Sequence, residues 1–341
     1  MIVLYILLAL FAFGVLIFFH ELGHFVFAKI FKVAINEFSI GMGPKLFSRI
    51  GKDGIKYALR LFPIGGYVAM EGESEESEDP NSFDKKPAYQ RFIIVIAGAI
   101  MNIIIALLIV FALTVSSPYY GTTEIAQFSG DVDSYMGLEI GDKIIKVSDT
   151  SVKTLDELSY QIMIKGYEPI DLLVVRNNEE MLIKDVSFPV KEEEGFKYGQ
   201  MNFSVYGEKK TVSTILKNTI HTSISTVRMI WDSLIGLFTG RFGIKQVSGP
   251  IGVTGAMVEV AKYGPRNFFY LVAVISMNLG VFNLLPIPAL DGGTLLMTAI
   301  EMIFKKKIPK KIEDIIKLVG FGLLITLIIF VSVKDIFNLI F

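Results

Sequence analysis

Four stretches of the chain are apolar over lengths that can cross a membrane, and they frame everything between them. Residues 2–19 read IVLYILLALFAFGVLIFF without a charge, and the apolar character continues to about residue 31. This predicts a first spanning helix longer than the ~30 Å of hydrocarbon it must cross. Phe92–Val115 is uncharged throughout, with Asn102 its notable polar side chain. A third span is predicted over about Phe268–Leu290 and a fourth over about Ile315–Val333. The fourth is uncharged only from Leu318 to Val333, so Lys317 and Lys334 must snorkel at its ends. The first segment has no basic residues ahead of it and no small-residue cleavage site, so it reads as a retained helix rather than a signal peptide.

The intervening segments change period. Residues 47–70 mix β-formers with polar residues around Asp53-Gly54, a strong turn pair, and predict a β-hairpin. SIGMGP (39–44) and PIGGYV (63–68) add glycines that permit tight backbone geometry beside the first span. The acidic stretch EGESEESEDPNSFDKKP is a solvated or interfacial loop. From about 118 to 207, short β-rich runs alternate with turns, interrupted by a helical Leu155–Ile164 with Thr154 as its cap. From 212 to 238, apolar residues recur at helical spacing opposite Lys217, Asn218, Ser225, Arg228 and Asp232, an amphipathic helix suited to a membrane surface.

Composition narrows the class. The chain has 341 residues, is 52% hydrophobic and has a net charge of −1, so nothing basic points to nucleic acid. Its mean hydropathy of +0.54 exceeds that of ordinary soluble domains. With no cysteine, disulfides and thiolate ligands are excluded, and histidine and carboxylates remain for metal binding. Positive charge crowds two loops: Lys29 to Arg91 between the first two spans, and Lys305, Lys306, Lys307, Lys310, Lys311 and Lys317 before the last. The positive-inside rule puts both loops in the cytoplasm, with both termini and the long segment 116–266 outside.

Against this frame, His20-Glu21-Leu22-Gly23-His24 is the chemical centre of the sequence. Histidines four apart on a helix leave the same face and can bind one ion, and Glu21 beside them can act on a water there. Charged groups this deep in an apolar segment cost roughly 2.5–3.5 kcal/mol each, more than packing alone justifies. The third histidine, His221, lies in the external amphipathic helix and reads as an interfacial polar residue. Asp291, in NLLPIPALDGG (283–293), is the best third ligand. It follows Pro286 and Pro288 at the end of the third span, which runs in the same direction as the first. Both groups thus reach the cytoplasmic boundary, His20 after roughly 27 Å of helix. The alternative is a plain proline-glycine turn and helix cap.

HELGH, SIGMGP, PIGGYVAM, FDKKPAYQRFIIVIAGAIMN, SGPIG (248–252) and NLLPIPALDGG together resemble the site-2 protease family of intramembrane zinc metalloproteases, of the bacterial regulator-of-sigma-E protease type. The string GLEIGDKIIKV (137–147) is similar to bacterial PDZ domains, which bind peptides at a sheet edge. There is room for one such domain, where some members of the family carry two. The resemblance implies one Zn2+ held by His20, His24 and Asp291, and Glu21 as the catalytic base. It implies Asn283 and Pro286, and also Gly65, Gly66 and Tyr67, as residues that hold substrate.

The expected fold is a polytopic α-helical membrane protein of four transmembrane helices, with a cytoplasmic-side β-hairpin or sheet and one external PDZ-like α+β domain. Its segments are a first helix (1–31), a membrane-associated β region (32–91), a second helix (92–115), a PDZ-like domain (116–207) and an amphipathic region (208–266). A third helix (267–293), a basic loop (294–314) and a fourth helix (315–341) complete it. The implied substrates are single-pass membrane proteins, such as an anti-sigma factor or a remnant signal peptide, cleaved in a bacterial cytoplasmic membrane. A peptide or C-terminal tail at the PDZ-like domain and the lipid bilayer are the other partners. A zinc transporter or sensor, or a non-catalytic PDZ scaffold, are the competing readings; the former would show repeated broken helices.

Overall fold

The computed structural model describes residues 2–73, 75–129, 137–193, 196–241, 243 and 247–340. The chain runs α1 (Ile2–Ile30), β1 (Ile35–Ile50), β2 (Lys56–Met70), α2 (Ala88–Ser116), β3 (Tyr119–Phe128), β4 (Lys143–Val147), β5 (Thr150–Ser151) and α3 (Leu155–Lys165). It continues through β6 (Ile170–Arg176), β7 (Glu179–Val186), β8 (Val190–Glu193), β9 (Phe196–Gly199) and β10 (Phe203–Lys209). The last helices are α4 (Val212–Phe238), α5 (Pro250–Lys262), α6 (Pro265–Leu284), α7 (Asp291–Phe304) and α8 (Lys310–Ile340). Two compact units result, one from residues 1–109 with 247–341 and one from 110–246.

Four helices are long and apolar enough to cross a membrane: Ile2–Ile30, Ala88–Ser116, Pro265–Leu284 and Lys310–Phe337. Exposed side chains on α1 and α8, such as Leu4, Phe11, Leu323 and Phe330, are apolar, as a lipid-facing surface requires. The third span differs from the sequence expectation. α6 stops at Leu284, and Asp291 opens the separate helix α7 rather than ending the span. Pro286 and Pro288 cannot donate backbone hydrogen bonds, and Ala289 takes a left-handed φ of 74°, so the helix cannot run through. The expected basic loop 294–314 is correspondingly shortened, because α7 extends to Phe304.

The sequence-predicted hairpin 47–70 is part of a larger, doubled-back sheet. Residues 37–40 pair with 66–69 on one side and with 56–59 on the other, while 45–50 pair with 56–60. The order across the sheet is therefore 45–50, 56–60, 37–40, 66–70, leaving 66–70 at an edge. SIGMGP and PIGGYV are the bends inside β1 and β2, not separate elements. At Gly41, with φ 82°, a Cβ would lie 2.4 Å from the Phe62 carbonyl oxygen. The sheet packs on α1 through Phe38, whose ring stacks on Phe25 at 4.6 Å.

In the second unit, β10-β3-β4-β6-β7 form an antiparallel sheet over a core that includes Ile125, Ile144, Leu158, Leu172 and Val174. The GLEIGD turn is fixed by buried Asp142, which accepts the Glu139 N–H at 2.8 Å and pairs with Arg176 at 2.7 Å. Thr154 caps α3 as the sequence predicts, accepting from Glu157 N–H. Residues 130–136 and 194–195 of the expected PDZ-like segment lie outside the described residues. On α4 the small hydroxyl residues Thr214, Thr219, Ser223 and Thr226 are buried, whereas Leu216, Ile220, Ile224, Trp231 and Ile235 are exposed. Arg228 and Glu157 pair α4 with α3 at 3.1 Å.

Candidate metal centre

Three helices build the site. α1 carries His20 and His24 about one turn apart, with Glu21 next to His20, about two-thirds of the way along its length. α7 supplies Asp291 as its first residue, because the 285–290 turn swings the backbone back on itself. Gly292 makes that turn possible, since a Cβ there would lie 1.7 Å from the Leu285 carbonyl oxygen. α2 forms the wall behind the histidines. A Cβ on Gly98 would lie 2.3 Å from His24 Nε2 and 2.8 Å from His20 Cε1, so only glycine lets this backbone approach. Gly23 plays the same part on α1, where a Cβ would meet the Ala97 carbonyl oxygen at 2.4 Å.

His20 Nε2 lies 3.1 Å and His24 Nε2 3.3 Å from Asp291 Oδ2, and the two nitrogens are 3.2 Å apart. These are the separations that bonds of about 2.0–2.1 Å impose on tetrahedral zinc ligands, roughly 3.3 Å between neighbours. Asp291 Oδ2 is buried and makes no hydrogen bond of its own, an orphaned acceptor aimed at two ring nitrogens. The donor set of two imidazoles and a carboxylate suits Zn2+ and leaves a coordination position open. His24 Nδ1 is 2.9 Å from the Ile94 carbonyl oxygen, which fixes the proton there and frees Nε2. The residues present fit a zinc ion.

A model of peptidase family M50 matches residues 8–327. The chain belongs to peptidase family M50. It is 36% identical over 335 residues to a Clostridium perfringens protein whose name assigns it provisionally to the zinc metalloproteases, covering 98% of both chains. A Fusobacterium nucleatum protein with a name of the same form is 36% identical over 344 residues, again covering 98% of both. The zinc metalloprotease RasP of Geobacillus kaustophilus is 28% identical, with 95% of this chain and 96% of that protein covered.

The other sequence-predicted residues of this M50 chain fall in three places. Gly66 lies on the edge strand directly over Glu21, where a Cβ would be 3.4 Å from Glu21 Cγ, and the Val68 backbone N–H interacts with the Glu21 carboxylate. Tyr67, beside it, turns its hydroxyl away into the sheet, donating to Glu37 at 2.7 Å and meeting Arg60. Gly65, with φ 86°, sits at the bend against Met42. Asn283 and Pro286 flank the end of α6, half-buried and exposed respectively. His221 lies on α4 and is not in the cluster of His20, His24 and Asp291, the metal-competent group found among the described residues. Two residues carry no site role in the sequence reading: Gly98, and Asn102, noted there only as a polar side chain of the second span, whose amide lies 3.3 Å from His20 Nδ1. Their signal is the i, i+4 spacing that sets both on one face of α2.

Proposed function

We propose that this chain is an intramembrane zinc endopeptidase that cleaves transmembrane segments of single-pass membrane proteins. The observation that carries the reading is the convergence of His20, His24 and Asp291 on one point, with Glu21 adjacent and both histidines inside a helix of spanning length. Bound there, zinc would supply a Lewis acid that polarises the scissile carbonyl and acidifies water. Glu21 is the general base: it takes the proton of the attacking water and returns it to the leaving amine as the peptide C–N bond breaks.

A transmembrane helix keeps its scissile carbonyl in its own hydrogen bonds and must unwind to react. The outer edge of 66–70, next to Glu21, can pair with the unwound strand and satisfy its freed backbone groups. Gly66 serves that approach. Gly65 and Tyr67 shape the strand rather than touch substrate, because one makes its bend and the other anchors it to Glu37. Asn283 and Pro286 act at the same cleft through the α6–α7 turn. The 116–207 unit is a PDZ-like external domain that captures a peptide or C-terminal tail, a reading supported by its antiparallel sheet and the Asp142-braced GLEIGD turn. The exposed apolar stripe of α4 lies on the bilayer surface. The active site opens to the cytoplasmic side of a bacterial cytoplasmic membrane, as the basic loops support. Anti-sigma factors and remnant signal peptides are the expected substrate class.

Replacing Glu21 with Gln tests the reading. Zinc is expected to stay bound while cleavage of a model transmembrane substrate in proteoliposomes drops by roughly 10²–10⁴-fold. Undiminished cleavage would contradict the role of Glu21 as the base.

A further inference from the structure

We propose that Asn102 is a positioning residue of the metal centre: its side-chain oxygen accepts the His20 Nδ1–H and so keeps the His20 Nε2 lone pair directed at the ion. The inference rests on reading His20, His24 and Asp291 as zinc ligands.

The two histidines are fixed by different partners. His24 Nδ1 lies 2.9 Å from the Ile94 carbonyl oxygen, which can only accept, so that nitrogen carries the proton. For His20 the corresponding place is taken by the Asn102 amide, 3.3 Å from Nδ1. An amide can present either end, and the assignment follows from its partners rather than from its shape. With Nδ2 toward the ring, Nδ1 must be the bare acceptor and the proton sits on Nε2. That tautomer can donate to Asp291 Oδ2, 3.1 Å away, but has no lone pair for a metal. With Oδ1 toward the ring, Nδ1 carries the proton and Nε2 is a ligand. In the first orientation Oδ1 is buried without a hydrogen-bond partner; in the second, the amide nitrogen takes that position. The choice is therefore made by the histidine.

Asn102 is built to hold this position. The residue is 1% exposed, and its backbone oxygen accepts the buried Ser276 hydroxyl at 2.8 Å, tying α2 to α6 at this residue. Gly98, one turn earlier, lets the α2 backbone come close enough for the amide to reach the ring.

The test is zinc affinity of the full chain in detergent, measured by competition with a chelator of known affinity, for the parent, Asn102→Leu, Asn102→Ser and Asn102→Asp. Removing the acceptor with Leu, or shortening it out of reach with Ser, should weaken zinc by about 10–100-fold. Asp keeps an acceptor oxygen at the same place and should stay within a few-fold of the parent, a rescue that a purely structural role would not give. Thermal unfolding in excess chelator should leave the Ser variant at the parent's midpoint. Parent-like zinc affinity in Asn102→Leu or Asn102→Ser would overturn the proposal, as would an equal loss in Asn102→Asp. If the parent itself holds no zinc, the metal reading falls with it; a parent that binds zinc alongside indifferent Asn102 variants removes only the role of Asn102.

Discussion

Imidazoles and carboxylates inside apolar helices persist only where they satisfy one another or hold an ion. His20, His24 and Asp291 meet that condition within 3.3 Å, and the residues around them have little freedom. Gly98 is the sharpest case. Gly98→Ala puts a methyl 2.3 Å from His24 Nε2, so zinc affinity is expected to fall on the order of tenfold or more, read by chelator competition, with helical content unchanged by circular dichroism. The histidine pair was legible in the sequence because a four-residue spacing is a statement about one helix. Asp291 was legible because prolines mark where a span breaks. Gly98 and Asn102 were not, because their importance depends on which face α2 turns to α1, and an apolar span reads much the same in every rotation.

At the scale of elements, hydropathy located the spanning helices but ran the third one too far. Leu285, Ile287 and Leu290 are as apolar as the helix before them, and only the hydrogen bonding changes at Leu284. The doubled-back sheet was half legible: the Asp53-Gly54 turn was evident, but a strand paired on both its sides leaves no local mark. SGPIG is a similar case. Gly249 and Gly252 donate backbone N–H groups to Asp335 at 2.9 and 2.8 Å, so α8 caps α5 across more than eighty residues of sequence. The sheet carries its own prediction through Glu37. Burial pushes this carboxyl up, but hydrogen bonds from Tyr67, Arg60, Lys45 and Lys56 outweigh it and hold the group at about 2. A carboxylate depressed in the folded state contributes stability above its ordinary value of 4.5 and loses it as pH falls through about 2. The parent should therefore unfold at higher temperature than Glu37→Gln at pH 7, with the gap closing between about pH 4.5 and 2.

At the scale of the whole molecule, the proposed topology has the basic loops and the active site on one side of the membrane and residues 116–266 on the other. The absence of cysteine makes this simple to check. In intact cells, exposed Lys184→Cys should react with a membrane-impermeant maleimide, and Lys306→Cys only after permeabilisation; the reverse pattern would invert the topology. The class of fold followed from the sequence because lipid constrains span length and backbone satisfaction so strongly. The inward-facing hydroxyl side of α4 did not, because small polar residues pack as closely as apolar ones when the partner helix supplies the fit. The most direct test of the whole account is the metal content of the purified protein. Mass spectrometry of the metal should find about one zinc per chain in the parent and less than about a tenth of that in Asp291→Ala, with transmembrane cleavage lost in step. Parent-level zinc and cleavage in Asp291→Ala would contradict the centre described here.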